Sequence, residues 1–141
     1  MAEIKYRFKK YVPKNKNYDV PSITILKTGS MRLNQYCRKF LNKKPYCELL
    51  YDEKEKVVAI KPIQIELITT LRITNWKRED NSLSIQCKNF FSEFKILEYL
   101  GLDSPLSKIK SIQIPAQWND KNKMFFVNLK YFKEQINANE A

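Results

Sequence analysis

Apolar and polar residues alternate with a period of two through much of this chain. Residues 23–27 (Ile23-Thr24-Ile25-Leu26-Lys27) and 31–33 (Met31-Arg32-Leu33) flank Thr28-Gly29-Ser30, which predicts two short strands joined by a turn. Asn34 follows, a residue suited to a helix N-cap. Tyr36 with Phe40, and Cys37 with Leu41, pair at i,i+4 and predict a short helix that ends at Asn42-Lys43-Lys44-Pro45. Residues 46–51 and 57–60 then flank the polar run Asp52-Glu53-Lys54-Glu55-Lys56, the pattern of a β-hairpin.

The same order returns. Residues 71–76 predict a strand, Arg78-Glu79-Asp80-Asn81 a turn, and residues 82–86 a second strand. Between Lys88 and Leu100, Phe90, Phe94 and Leu97 share a helical face with Phe91 beside it, and Gly101 is placed to close the helix. After a loop through Asp103-Ser104-Pro105, residues 112–118 and 124–129 predict a hairpin around Asn119-Asp120-Lys121-Asn122-Lys123. The turn from Tyr51 to Val57 lies over the turn from Trp118 to Met124 at an offset of 67, and the upstream strands match at 52. Both turns read aromatic, Asp or Asn, acid, Lys, polar, Lys, apolar. Any hairpin has a polar turn; the shared order of elements is what points to duplication. One β-β-α-β-β unit has too little surface to close its own core, and a second copy would cover it.

The expected fold is therefore mainly β (α+β). Residues 22–68 and 69–130 would be tandem repeats forming a barrel-like pseudo-dimer. A basic N-terminal arm, residues 1–21, precedes them and a tail, residues 131–141, follows. In the arm, Ile4, Tyr6 and Phe8 alternate with Lys5, Arg7 and Lys9, which as a strand puts apolar groups on one face and cations on the other. Lys10, Lys14 and Lys16 extend the charge into a loop. Such an arm can track phosphates or enter a minor groove, and its aromatics can stack on unpaired bases; the bland reading is an edge strand with a linker.

Composition narrows the chemistry. The chain has 141 residues, 43% hydrophobic, with no His and two Gly. A length of 141 is enough to bury a core. Without His there is no Ser-His-Asp triad, Cys-His dyad or His switch, and two glycines cannot write a phosphate-loop or dinucleotide fingerprint. The formal net charge is +11, and it is uneven: residues 1–45 hold twelve bases against Glu3 and Asp19, whereas residues 46–141 hold fourteen bases against thirteen acids. Segregated positive charge is the footprint of a polyanion partner; the alternative is a soluble, Lys-rich chain of biased composition.

Cys37, Cys47 and Cys87 match neither a CxxC pair nor a zinc knuckle and are expected as reduced core thiols in a cytoplasmic protein. Asp52, Glu53 and Glu55 could hold a hard cation but fit a solvated turn better, as do Glu79 and Asp80. Trp76 and Trp118 are expected as core or rim packing. No stretch is apolar enough to span a bilayer. No catalytic residue, metal or cofactor is expected.

Ile23-Thr24-Ile25, Gly29, Met31, Arg38, Leu41 and Ala59-Ile60-Lys61-Pro62 stand where the AbrB/SpoVT swapped-hairpin DNA-binding family has its motif, and residues 22–62 resemble that family. Ser30 replaces the family's arginine after the glycine, and Asn34 replaces its proline. The resemblance implies a pair of units that exchange hairpins into one barrel and grip DNA with basic residues on one face. Copy one would supply Lys27, Arg32, Arg38, Lys39, Lys43 and Lys44, and the arm Lys5, Arg7, Lys9, Lys10, Lys14 and Lys16. Copy two has Ser84 for Arg32, and Glu93 and Glu98 in its helix, and would mainly complete the fold. The expectation is a non-enzymatic DNA-binding regulator, double-stranded DNA favoured, with room for a homodimer. Two alternatives stand beside it: an adaptor or inhibitor docking on an acidic protein, and a single-stranded nucleic-acid-binding protein.

Overall fold

The structure, a computed structural model of the chain, describes residues 6–9, 20–77, 82–106 and 108–132. Strands β1 (Ser22–Leu26) and β2 (Ser30–Leu33) form the first hairpin. Gly29 turns it: its φ is +100°, and a Cβ there would lie 2.7 Å from the Lys88 Cβ. A 3-10 turn at Gln35–Cys37 leads into α1 (Arg38–Leu41). Then come β3 (Tyr46–Asp52) and β4 (Val57–Ile63), paired as the second hairpin, and β5 (Leu71–Thr74) and β6 (Leu83–Gln86), paired as the third. Helices α2 (Lys88–Glu93) and α3 (Ile96–Tyr99) precede β7 (Ser111–Pro115), β8 (Gln117–Asn119) and β9 (Met124–Asn128). Residues 129–132 are helical. Among the described residues no helix is long and apolar enough to cross a membrane.

All nine strands join one antiparallel sheet in the order β7-β1-β2-β6-β5-β3-β4-β9-β8. The two end strands are consecutive in the chain and separated only by Ala116, so the sheet is barrel-like and nearly closed. Pro115 lies opposite Ser22, and the Ala116 N–H extends the β1 ladder by donating to the Pro21 carbonyl at 2.9 Å. There the strand leaves β1 and its continuation pairs with β9. What reads in sequence as one strand over residues 112–118 is thus two.

Alternate residues of every long strand point inward. Ile23, Ile25, Met31, Leu33, Ile73, Leu83, Ile85, Ile112 and Ile114 meet Cys47, Val58, Ile60, Phe125 and Val127 in one buried cluster. Burying an aliphatic or aromatic side chain of this size contributes roughly 1.5–3 kcal/mol. Cys37 and Leu41 from the first helical turn, and Phe91, Ile96, Leu100 and Leu102 from the second helical region, extend the cluster.

Several expectations change. The helix expected over residues 88–100 is two short ones, because Lys95 adopts a left-handed conformation (φ 55°) between them. Gly101 (φ 75°) does close the second: its N–H donates to Glu98 O and that of Leu102 to Leu97 O, the paired bonds of a Schellman motif. The strand from residue 71 stops at Thr74 because Asn75 is left-handed (φ 73°). Residues 6–9 belong to no strand, and Tyr6 and Phe8 are 67% and 88% exposed, their rings 5.5 Å apart. Residues 1–5 and 10–19 of the arm, the turn at residues 78–81 and the tail beyond residue 132 lie outside the described residues.

Asn34 precedes a helical turn, as expected, but its side chain makes no cap bond. It ties that turn to the start of β1 instead. Its Oδ1 accepts from the Ser22 N–H (3.1 Å), and its Nδ2 donates to Val20 O (2.8 Å) and Ser22 Oγ (2.9 Å). Ser22 is only 1% exposed, so losing the clamp leaves a buried N–H without its acceptor. Asn34→Ala is expected to lower the unfolding free energy by about 1–3 kcal/mol in urea titrations. The neighbouring exposed Gln35→Ala should stay within about 0.5 kcal/mol of the parent.

Candidate nucleic-acid interface

Strands β1, β2, β5, β6 and β7 turn Thr24, Arg32, Arg72, Thr74, Ser84, Gln86 and Gln113 away from the core. Ladder pairing lays Gln113, Thr24, Arg32, Ser84 and Thr74 in one row across this face. The five strands contain two arginines and not one Asp or Glu. The other four strands carry Glu48, Asp52 and Lys61, and the remaining described acids lie in turns, loops and the α2–α3 region. Among the described residues this is a face of hydroxyls, amides and guanidinium groups free of carboxylates, which offers donors to phosphate oxygens with no like-charge repulsion.

The expected bases are arranged unequally around this face. Arg32 sits at its middle, exposed, between Thr24 and Ser84. Lys27, at the turn between β1 and β2, donates from Nζ to the Ser104 carbonyl at 2.7 Å. Arg38 reaches from α1 to the end of β5, where its guanidinium donates to the carbonyls of Asn75 (3.0 Å) and Trp76 (3.3 Å) and lies 5.6 Å from the Trp76 ring centroid. That geometry makes Arg38 a fastener between helix and sheet. Lys39 leans its ammonium over Phe40, 4.9 Å from the ring centroid. Phe40 in turn stacks on Trp118, 5.3 Å away. Lys43 is exposed and left-handed (φ 60°), and Lys44 is half-buried beside Pro45. Arg7 and Lys9 are exposed. Lys5, Lys10, Lys14 and Lys16 lie outside the described residues.

Ion pairs among the described residues join Lys123 to Asp120 (2.7 Å) and Lys130 to Glu55 (3.4 Å), away from this face. The Lys123 hydrogen bond and charge hold the Asp120 carboxyl below its ordinary range. The Asp52 carboxylate serves its turn, with Oδ1 accepting from the N–H groups of Lys54 (3.0 Å) and Glu55 (2.9 Å).

Four bases that the charge count passed over lie on this face or near the ends of its strands. Arg72 stands outward on β5, and Lys77 lies just beyond the same strand. Around the β1–β2 turn, the Lys27 N–H donates to Lys110 O (2.9 Å), and Lys88 backs onto Gly29. All four belong to the near-neutral part of the chain, so net charge hid them. The outward parity of Arg72, between Leu71 and Ile73, was the one legible signal.

The cysteines are buried, free thiols, as expected. Desolvation pushes each from an ordinary 9.0 up to about 12. Backbone hydrogen bonds at Cys37 and Cys87 oppose that rise only in part. A thiol that keeps its proton when folded and loses it when unfolded makes the unfolded state bind fewer protons, so its contribution to stability falls as pH rises. Stability is therefore expected to be insensitive to the thiols below pH 9 and to decline between pH 9 and about 12. Unfolding titrations across that range, compared with those of a Cys47→Ala,Cys87→Ala variant whose decline should be shallower, check this. At pH 8 a thiol reagent should modify the folded chain slowly and the urea-unfolded chain at once.

Comparison of the chain with protein-family models, with curated proteins and with solved structures finds no match in any of the three.

Proposed function

We propose that this chain is a non-enzymatic nucleic-acid-binding protein that holds a phosphate backbone against the five-stranded, carboxylate-free face, with double-stranded DNA the favoured ligand and regulation the favoured role. The observation that carries this reading is the row through Arg32, with hydroxyls and amides on either side and Arg72 and Lys77 beyond. Proteins position a backbone with such contacts, and helix or strand surfaces of like composition serve the purpose equally.

The strand order supports duplication and the swapped-hairpin resemblance. Exchanging β1 with β5, β2 with β6, β3 with β7–β8 and β4 with β9 carries the order around the sheet into itself. Under this exchange β1 lies on β7 and β5 on β3, so each copy's first hairpin rests on the other copy's third strand. The second hairpins correspond in register: Asp52↔Val57 matches Asn119↔Met124, and Tyr51↔Val58 matches Trp118↔Phe125. Asn119 Oδ1 accepts from the Asn122 N–H at 2.8 Å as Asp52 does from Glu55, and the closing residues Lys56 and Lys123 are both left-handed (φ 57° and 53°).

Matching Ile25↔Met31 to Ile73↔Ile85 then puts Gln86, rather than the Ser84 expected from sequence, at the counterpart of Arg32. Copy one would supply Arg32 and copy two Arg72 and Lys77, so both copies would contribute to binding.

With about six phosphates neutralised, a plot of log affinity for duplex DNA against log salt should have a slope near −5. Arg32→Glu,Arg72→Glu should weaken binding at least tenfold and make that slope shallower by about 2. Glu53→Gln, on the distant β3–β4 turn, should leave both unchanged. A salt-independent affinity, or equal binding by the double variant, would refute the proposal. Capture of an acidic protein without nucleic acid would favour the adaptor reading.

A further inference from the structure

The groove beside β5 has features that a simple phosphate track does not need. It encloses about 670 Å³ and is lined by Pro45, Arg72, Thr74, Asn75, Trp76 and Lys77, with Ile73 at its floor. That volume lies in the range of small-ligand sites. Among the described residues no lining residue is acidic, and two are exposed cations.

The indole in this groove is held in place. Trp76 Nε1–H donates to Ile73 O at 3.0 Å, and the Arg38 guanidinium lies over the ring while bonding the Asn75 and Trp76 carbonyls. A ring fixed in this way costs little further ordering when something stacks on it. Both tryptophans are half-buried and pack against the core; Trp118 also stacks on Phe40 and lies edge-on to Phe125 with centroids 4.9 Å apart, whereas Trp76 lines the groove.

We infer that the Trp76 groove takes one unpaired nucleobase, stacked on the indole, with the adjoining phosphate between Arg72 and Lys77. The inference rests on the nucleic-acid reading above and adds which part of the nucleic acid this end of the face would recognise. An aromatic platform suits every base because each has a π-face. Asn75 offers an amide to a base edge, and Thr74, whose hydroxyl donates to Ser84 O at 3.2 Å, offers an acceptor oxygen. Within a duplex the faces of internal bases are covered by their neighbours, so the groove selects an unpaired or terminal base. Thr74 shares its row with Ser84 and Arg32, two strand spacings away. At about 4.8 Å per spacing, the groove lies about 10 Å from Arg32, and one strand can engage both.

The chain has two tryptophans, so Trp118→Phe leaves Trp76 as the sole indole reporter. Titrating this variant with a ten-nucleotide oligothymidylate at low salt should quench Trp76 emission to saturation, while a blunt duplex of the same length should quench it far less. Trp76→Leu should weaken oligothymidylate binding about tenfold, the loss of one stacked base, and Trp76→Phe should recover most of it. Quenching in the Trp118→Phe chain stands on its own should Trp76→Leu fail to fold.

Salt-dependent binding of either nucleic acid with unchanged Trp76 emission, or equal binding by Trp76→Leu and Trp76→Phe, would overturn the stacking site and leave the phosphate face standing. Equal quenching by duplex and single strand would overturn the selectivity for an unpaired base. Absence of binding to every nucleic acid would remove both readings together.

Discussion

The change of partner between β7 and β8 is the constraint on which this fold depends. One strand must serve β1 with its first half and β9 with its second, and a ladder cannot do both without a break. The change comes after Ala116: Pro115 still lies opposite Ser22, the Ala116 N–H still donates to the Pro21 carbonyl, and from Gln117 the strand pairs with β9. The nine-stranded sheet then nearly meets itself and leaves little exposed edge for another chain to extend. The carboxylate-free face is a product of the same arrangement: it brings β7 beside β1 and β6 beside β2, joining strands from distant parts of the chain into one surface.

Much of the architecture was legible from the alternation of side chains. The hairpins around Gly29, Lys54 and Lys121 were visible because small or polar turn residues separate clean period-two patterns. The three cysteines, whose spacing fits neither a redox pair nor a zinc knuckle, are buried as expected. What escaped were backbone events that side-chain pattern does not report. Lys95 turns left-handed in the middle of an aromatic helical face, and Asn34 bonds backward to β1 instead of forward into its helix. Asparagine can do either, and tertiary context decides.

The candidate site was legible by half. Charge counting found Arg32 and the basic helix but treated residues 46–141 as neutral ground. Arg72 and Lys77 are diluted there by acids, and those that the structure describes lie elsewhere, in β3, in turns and loops and in the α2–α3 region. Net charge is a sum over sequence, whereas an interface is a sum over surface, and the two diverge wherever strands from different segments pair. Arg38 shows the opposite divergence. It stands where a DNA contact was expected, yet its hydrogen bonds fasten α1 to the end of β5.

The pairing of β1 with β7 also bears on how the chain is made. Gln113 donates to Ser22 Oγ across 91 positions of sequence. During synthesis the first hairpin leaves the ribosome long before Ile112 and Ile114 exist to flank it, and over that interval the outer edge of β1 stands open. Contacts of such long range slow folding, and an open edge invites pairing with the wrong chain. The nascent protein is thus most vulnerable to aggregation until its last third has emerged, when a single strand seals the amino-terminal hairpin.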